Sequence, residues 1–383
     1  MNSVKLGERF EKLYGVEPKL FRAPGRVNLI GEHTDYNDGF VMPCAIGFSA
    51  CAAVSAREDS QLFLQSENFP QPFEFDVDNL PARRLGVWCD YVLGVALMLR
   101  QAGFDFRGAN LLISSDVPIG AGLSSSAAIE VVTALALLSL STGKLALTDL
   151  AKLCQRAENE FIGARCGIMD QFISCFGKID HALLLDCRSL DFKLVPLPPA
   201  VRLVICNTMT KHEISGGEYN RRREQCEEGV QLLSKWYPGI RALRDVSAPQ
   251  LEKYAPEIPD IIYKRCAHVV NENQRTLDGA ACLANGDLRG FGKLMGESHR
   301  SLRDLYEVSC RELDNMVEIA EGLPGFMGGR MTGGGFGGCT VNLVDAPQAE
   351  KFAITIGERY AQKMGIQPDV YTCFAADGAG SGC

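Results

Sequence analysis

The sequence predicts an α+β fold in two domains, on three observations. Its 383 residues exceed what one hydrophobic core usually serves. The first part mixes strand-like runs with helical stretches, whereas the second opens with a strand and is then mostly helical. Three prolines near the middle, Pro196, Pro198 and Pro199, punctuate the chain and set the boundary between residues 1–198 and 199–383.

Composition narrows the class. Hydrophobic residues at 46% and charged residues at 22% describe a soluble globular protein. A net charge of −8 argues against a general binder of nucleic acid or membrane surfaces, since the average field repels both. The densest basic run, Arg221-Arg222-Arg223, reads as a solvated helix face. Met1 to Tyr14 mixes charged and apolar residues and lacks the apolar core of a signal peptide. The most apolar stretch, Ala127 to Leu140, carries Glu130, Thr133 and Ser139 and suits a buried helix better than a membrane span. Fifteen cysteines are scattered without Cys-x-x-Cys or Cys/His spacing, so reduced thiols in a cytoplasmic protein are expected and structural zinc is not.

In chain order, Val4 to Leu13 is a helix closed by Gly15, and Leu20 to Ala23 is a short strand stopped by Pro24-Gly25. A polar loop runs from Arg26 to Gly39. Ile46 to Ser55 and Leu62 to Gln65 are strands, and Trp88 to Leu99 has helical period. Leu111 to Ile113 leads through a glycine loop into the helix Ala127 to Leu140. Thr148 to Phe161 is a second helix with Thr148 as N-cap, and Cys166 to Ser174 turns into a short helix ending at Gly177. Ala182 to Leu185 and Phe192 to Val195 form a hairpin. Beyond the boundary come a strand, Arg202 to Cys206, and helices at Tyr219 to Ser234, Pro259 to Ala284, Asp287 to Leu305 and Cys310 to Glu321. A glycine-rich turn, Gly328 to Gly338, precedes the strand Cys339 to Val344, and the tail from Asp377 is expected to be mobile.

Three constellations carry chemistry. Gly120, Ala121, Gly122, Leu123, Ser124, Ser125 and Ser126 stand between a strand and a helix, where free N–H groups and the helix dipole favour an anion such as phosphate; an ordinary turn with a serine N-cap is the other reading. In the polar loop Glu32, His33 and Asp35 suit sugar hydroxyls and Arg26 suits a phosphate, with a metal centre or a solvated turn as rivals. Asp170, an acid in an apolar segment, is either a helix cap or a general base kept ionised by a cation such as Arg26. No Gly-x-x-x-x-Gly-Lys-Ser/Thr occurs, and Gly333-x-Gly335-x-x-Gly338 precedes a strand where a dinucleotide fingerprint needs a helix.

Gly25 to Tyr36 resembles the galactokinase signature throughout, and Val117 to Ala127 resembles the ATP motif of the galactokinase, homoserine kinase, mevalonate kinase and phosphomevalonate kinase superfamily. Cys166 to Ser174, Glu218-Tyr219 with Arg221 to Cys226, and Met331 to Cys339 extend the likeness along nearly the whole chain. The resemblance implies mixed or antiparallel sheets covered by helices, with the active site in the cleft between the two domains. It implies ATP-dependent phosphorylation of galactose at its anomeric hydroxyl, with Asp170 as base and Arg26 holding it ionised. Glu32, His33, Thr34, Asp35, Gly167 and Tyr219 match sugar-binding positions. Gly120 to Ser126 match the phosphate loop, and Trp88 and Tyr91 fall where aromatics pack on adenine, core packing being the alternative for these two.

For magnesium, helical spacing nominates Ser126 with Glu130, whereas the family pattern nominates Ser126 with Glu158, which is the pair adopted. A kinase for N-acetylgalactosamine and a non-catalytic sensor of galactose and ATP are the alternatives; the intact serine loop weighs against the sensor. The expected partners are small molecules, galactose and ATP, with no nucleic acid or membrane, and the chain is expected to be a monomer. Gly120 to Ser126 and Asp170 are expected to face Tyr219 and Gly333 to Gly338.

Overall fold

The computed structural model describes residues 3–211 and 215–382. The fold is α+β, as the residue pattern implies. Helix α1 (Ser3–Tyr14) is followed by β1 (Lys19–Asn28), β2 (Phe40–Val41), β3 (Pro43–Ala56), β4 (Gln61–Ser66), β5 (Phe73–Asp76), α2 (Asp90–Gln101) and β6 (Ala109–Ser115). Then come α3 (Ser125–Leu138), α4 (Leu147–Arg156), α5 (Met169–Phe176) and the hairpin β7 (His181–Asp186) with β8 (Phe192–Pro196). The second half holds β9 (Val201–Lys211), α6 (Ser215–Leu233), α7 (Ala248–Lys253), α8 (Asp260–Ala284), α9 (Leu288–Ser301) and α10 (Arg311–Glu321). It ends with β10 (Phe326–Thr332), β11 (Gly337–Asp345), α11 (Ala349–Met364), β12 (Asp369–Cys373) and β13 (Gly380–Ser381).

The strands form a six-stranded mixed sheet in the order β13-β1-β3-β6-β4-β5, a four-stranded antiparallel sheet β10-β11-β9-β12 and a three-stranded antiparallel sheet β2-β7-β8. In β3 alternate residues serve opposite faces: Cys51 and Ala53 pack under α1 with Leu6 and Phe10, while Ala50, Ala52 and Val54 join the main core. Both faces are covered, so the strand reads as a continuous run of small apolar residues rather than an alternation. The main core draws Val27 and Phe172 from the first half and Leu203, Phe291 and Val341 from the second.

Several expectations need correction. β1 does not stop at Pro24-Gly25; it continues to Asn28 through a register shift between Pro24 and Arg26. Gly25 permits the passage, because a Cβ there would lie 2.7 Å from the Leu123 carbonyl oxygen. Thr148 caps nothing: α4 begins at Leu147 with Ala146 at the N-cap. The helices read as Thr148–Phe161 and Asp287–Leu305 each close in a π-helical turn, Ala157–Ile162 and Leu302–Tyr306. Half of the glycine-rich segment is strand β10, pressed on α9 so closely that a Cβ on Gly292 would sit 1.8 Å from the Met327 carbonyl oxygen. The glycine-rich tail is docked: β13 pairs with β1, Ala376 N–H donates to Ala45 O at 2.9 Å and Gly378 N–H to Gly177 O at 2.7 Å.

Among the described residues no helix is long and apolar enough to cross a membrane, and the described cysteines are all free thiols. Within the basic run only Arg221 is a solvated residue; Arg222 is buried and donates to the carbonyls of Tyr306 and Glu307.

Candidate active site

Two cavities meet at one ion pair. The bulge in β1 delivers Arg26, whose Nε and Nη2 donate to Asp170 Oδ1 at 2.7 Å and Oδ2 at 2.6 Å, while its Nη1 donates to Gly122 O at 2.6 Å. Burial opposes the Arg26 charge, but Asp170, Glu32 and Asp35 outweigh it and raise its pKa. Asp170 stands in the first turn of α5 yet does not cap it; its carboxylate is committed to Arg26 and to the Ser124 hydroxyl.

The first cavity, about 390 Å³, is lined by Gly120, Gly122, Ser124, Ser125, Ser126, Ile129, Trp88, Tyr91, Phe69 and Ile119, with Arg26 and Asp170 at its inner end. Gly120, Gly122 and Ser124 all have positive φ, at 68°, 78° and 59°, a curled backbone of the kind that turns N–H groups toward an anion. Ser124 stands at the N-cap of α3 but its side chain accepts no capping hydrogen bond; its hydroxyl donates to Asp170 instead. Ala121 and Leu123 face the core and fix the loop from behind. Trp88 stacks on Phe69 with centroids 6.0 Å apart and lines the cavity with Tyr91, so these aromatics give it an apolar wall.

The second cavity, about 210 Å³, is lined by Glu32, His33, Asp35, Gly167, Cys166, Glu158, Tyr219, Gly333 and Gly334, again with Arg26 and Asp170. Burial, with Asp170 nearby, pushes the Asp35 carboxyl up to about 7. Gly167 leaves room for it, since a Cβ there would fall 2.0 Å from Asp35 Oδ2. His33 sits at φ 62°, its Nδ1 hydrogen-bonded to Tyr36 OH at 2.7 Å, and Tyr36 OH to Tyr306 OH at 2.8 Å. Burial, with His268, Arg330 and Arg222 nearby, holds the imidazole neutral. Thr34 does not line this cavity. Its hydroxyl bonds within the loop, to Gly31 O at 2.8 Å and Phe40 O at 2.7 Å.

The second half of the chain holds the polar loop in place, through residues the sequence reading missed. Arg330, wholly buried on β10, donates to Glu32 Oε2 at 2.7 Å and to Asn28 O at 2.9 Å. On α8, Glu272 Oε1 accepts the Gly31 N–H at 3.0 Å and His268 Nε2 bonds Glu32 O at 3.1 Å. Burial opposes the Glu272 charge, but Arg275 and its other partners bring its pKa down to about 2. Arg265, His268, Glu272 and Thr276 recur at helical spacing and are all buried, a polar stripe that could have marked α8 as more than an amphipathic cover. The glycine turn closes on the serine loop: a Cβ on Gly333 would lie 2.9 Å from Gly122 O, and one on Gly338 3.0 Å from Ala121 O. Gly333 and Tyr219 thus share the site with the loop and Asp170.

Behind the loop, Ser126 stands close enough to Glu158 to favour its carboxylate against burial, while Glu130 is fully buried. Ser126 and Glu158 supply two hard oxygen donors, a set that fits magnesium when nucleotide phosphates supply the rest. Among the described residues no three His, Cys, Asp or Glu side chains form a metal-sized group.

The arrangement can hold a phosphate-bearing nucleotide and a small polyol on either side of the Arg26–Asp170 pair. The galactokinase galactose-binding signature matches residues 8–56, the N-terminal domain of GHMP kinases residues 90–178 and the GHMP kinase C-terminal domain residues 280–362. A galactokinase of Roseiflexus sp. (strain RS-1) is 48% identical over 99% of this chain and 97% of its own, and one of Chloroflexus aggregans 46% over 98% and 96%. The crystal structure of Lactococcus lactis galactokinase complexed with galactose superposes with a TM-score of 0.94 at 35% identity, covering 99% of both chains. Site geometry, signature and full-length likeness therefore agree that the chain belongs to the galactokinase family.

Proposed function

We propose that this chain transfers the γ-phosphoryl group of ATP to the C1 hydroxyl of α-D-galactose, giving galactose 1-phosphate and ADP. The observation that carries this reading is the shared wall: Arg26 and Asp170 line both the loop-and-aromatic cavity and the polar cavity. ATP would occupy the first, with its phosphates on Gly120 to Ser126 and its base against Trp88 and Tyr91. Galactose would occupy the second, held by Glu32, His33, Asp35, Gly167 and Tyr219, with Thr34 bracing the turn that presents them.

Asp170 acts as the general base. Arg26 orients it, and the Asp170 side chain remains 27% exposed, leaving room for the sugar proton. As that proton moves to Asp170, the C1 oxygen bonds to the γ-phosphorus and the bridging bond to ADP breaks. Arg26 then stands beside the charge that develops on the transferring group. Ser126 and Glu158 would hold magnesium, which when bound neutralises phosphate charge.

Residues 1–198 and 199–383 are proposed as the two lobes whose junction forms the cleft; the Gly333 and Gly338 contacts with the serine loop support this. A monomer working in the cytoplasm is proposed from two supports: both cavities are lined within one chain, and its described thiols are free.

Asp170→Asn is expected to keep galactose and ATP binding while lowering turnover by roughly 10²–10⁴. Near-normal turnover would refute the base assignment. A panel of sugars including N-acetylgalactosamine, read by ADP release, should single out galactose.

A further inference from the structure

One buried amide joins the two carboxylates behind Ser126. Gln171 follows Asp170 on α5 and is wholly buried; its Nε2 donates to Glu130 Oε2 at 3.0 Å and to Glu158 Oε2 at 2.6 Å. A primary amide carries two N–H bonds, so each carboxylate receives one. Gln171 Oε1 has no hydrogen-bond partner among the described residues, so its donors alone orient the amide.

The two carboxylates differ in access. Glu130 has no exposed surface and is fixed on α3, a helix buried along most of its length. Glu158 lies in the π-helical turn after α4, lines the polar cavity and stands beside Ser126. Two carboxylates this close repel each other, and a glutamate at a helix end has several rotamers open to it. The amide removes both difficulties by tying the accessible carboxylate to the fixed one.

We propose that Gln171 is a positioning residue: its amide clips Glu158 to Glu130 and so presents Glu158 to the divalent cation beside Ser126, while Glu130 stays an anchor. The proposal rests on the reading of Ser126 and Glu158 as cation holders. Successive residues of an α-helix point about 100° apart, so α5 aims the base at Arg26 and the clip at Glu158 from one turn. Base and cation site are thereby set by the same rigid element.

The test is Mn²⁺ binding in the presence of β,γ-imido-ATP, followed by electron paramagnetic resonance, beside steady-state kinetics. Gln171→Met keeps the volume and removes the amide. It is expected to weaken Mn²⁺ binding roughly 10- to 100-fold, the range for loss of a residue that orients a ligand. The magnesium requirement should rise in step, with the KM for galactose and the melting temperature held. Glu130→Gln retains an acceptor for Gln171 Nε2 and should bind Mn²⁺ as the parent does.

Unchanged Mn²⁺ affinity in folded Gln171→Met overturns the proposal, and so does an equal loss in Glu130→Gln, which would make Glu130 a ligand. Glu158→Gln separates the levels: if it too leaves affinity unchanged, the cation reading itself fails. If it weakens binding and Gln171→Met does not, only the clip fails. Should Gln171→Met not fold, Gln171→Asn, too short to span both carboxylates, is read by the same criteria.

Discussion

Asp35 shows how far one residue's chemistry depends on its surroundings. Burial and the nearby Asp170 raise its pKa from 3.8 to about 7, against the opposing N–H of Tyr36. The folded chain therefore keeps a proton that the unfolded chain releases near pH 3.8. The resulting stabilisation is complete below that pH and is lost as pH rises through about 7. Melting of the ligand-free protein is expected to decline between pH 4 and 7, and Asp35→Asn should make the decline shallower. Glu32, Glu130 and Glu158, also pushed up by burial, act in the same sense, while His33 and His268, held down by burial, oppose it. An identical slope in the variant would contradict the assignment. At this scale Glu32, His33 and Asp35 were legible because they share one short segment. Arg330 was not: its partner Glu32 lies 298 residues away, and no local pattern pairs them.

Two elements deviate from their sequence pattern in the same way, and both serve the site. The π-helical turns at Ala157–Ile162 and Leu302–Tyr306 carry Glu158 and Tyr306. Such a turn holds one extra residue and leaves the apolar spacing almost unchanged, so the sequence reads as uninterrupted helix. Close packing of α9 on β10 was equally hidden, because glycines in a strand look like a turn until a neighbour explains them. Gly292→Ala would push a methyl group toward the Met327 carbonyl and shift α9, whose Ser298 hydroxyl donates to Glu272. Denaturant unfolding is expected to show a loss of about 1–3 kcal/mol. Gly296→Ala on the same helix, where the nearest atom to a new Cβ is 3.6 Å away, should be close to neutral. Equal midpoints for both variants would refute the close-contact argument.

Across the whole molecule, the end of the chain completes the sheet that carries Arg26. β13 adds the edge strand beside β1, and Ala379 N–H donates to Ser174 O at 2.8 Å, at the end of the helix that bears Asp170. Removing residues 375–383 is expected to lower the melting temperature and turnover together, since it frees an edge of β1 and unties α5. A truncated chain with unchanged melting and turnover would show the strand to be dispensable.

What the sequence by itself determined is local. Glycines and serines before an apolar helix implied an anion loop, the polar segment from Arg26 to Gly39 implied a hydroxyl-rich ligand, and periodicity found most helices and strands. The family resemblance already pairs Arg26 with Asp170 and Ser126 with Glu158; the tertiary structure alone decided that Arg330 and Glu272 hold the polar loop and that Ser124 bonds an acid instead of capping a helix. The physical reason is one of range. Backbone conformation and amphipathic period are set by neighbours a few residues apart, whereas ion pairing and burial depend on which distant segments the core brings together.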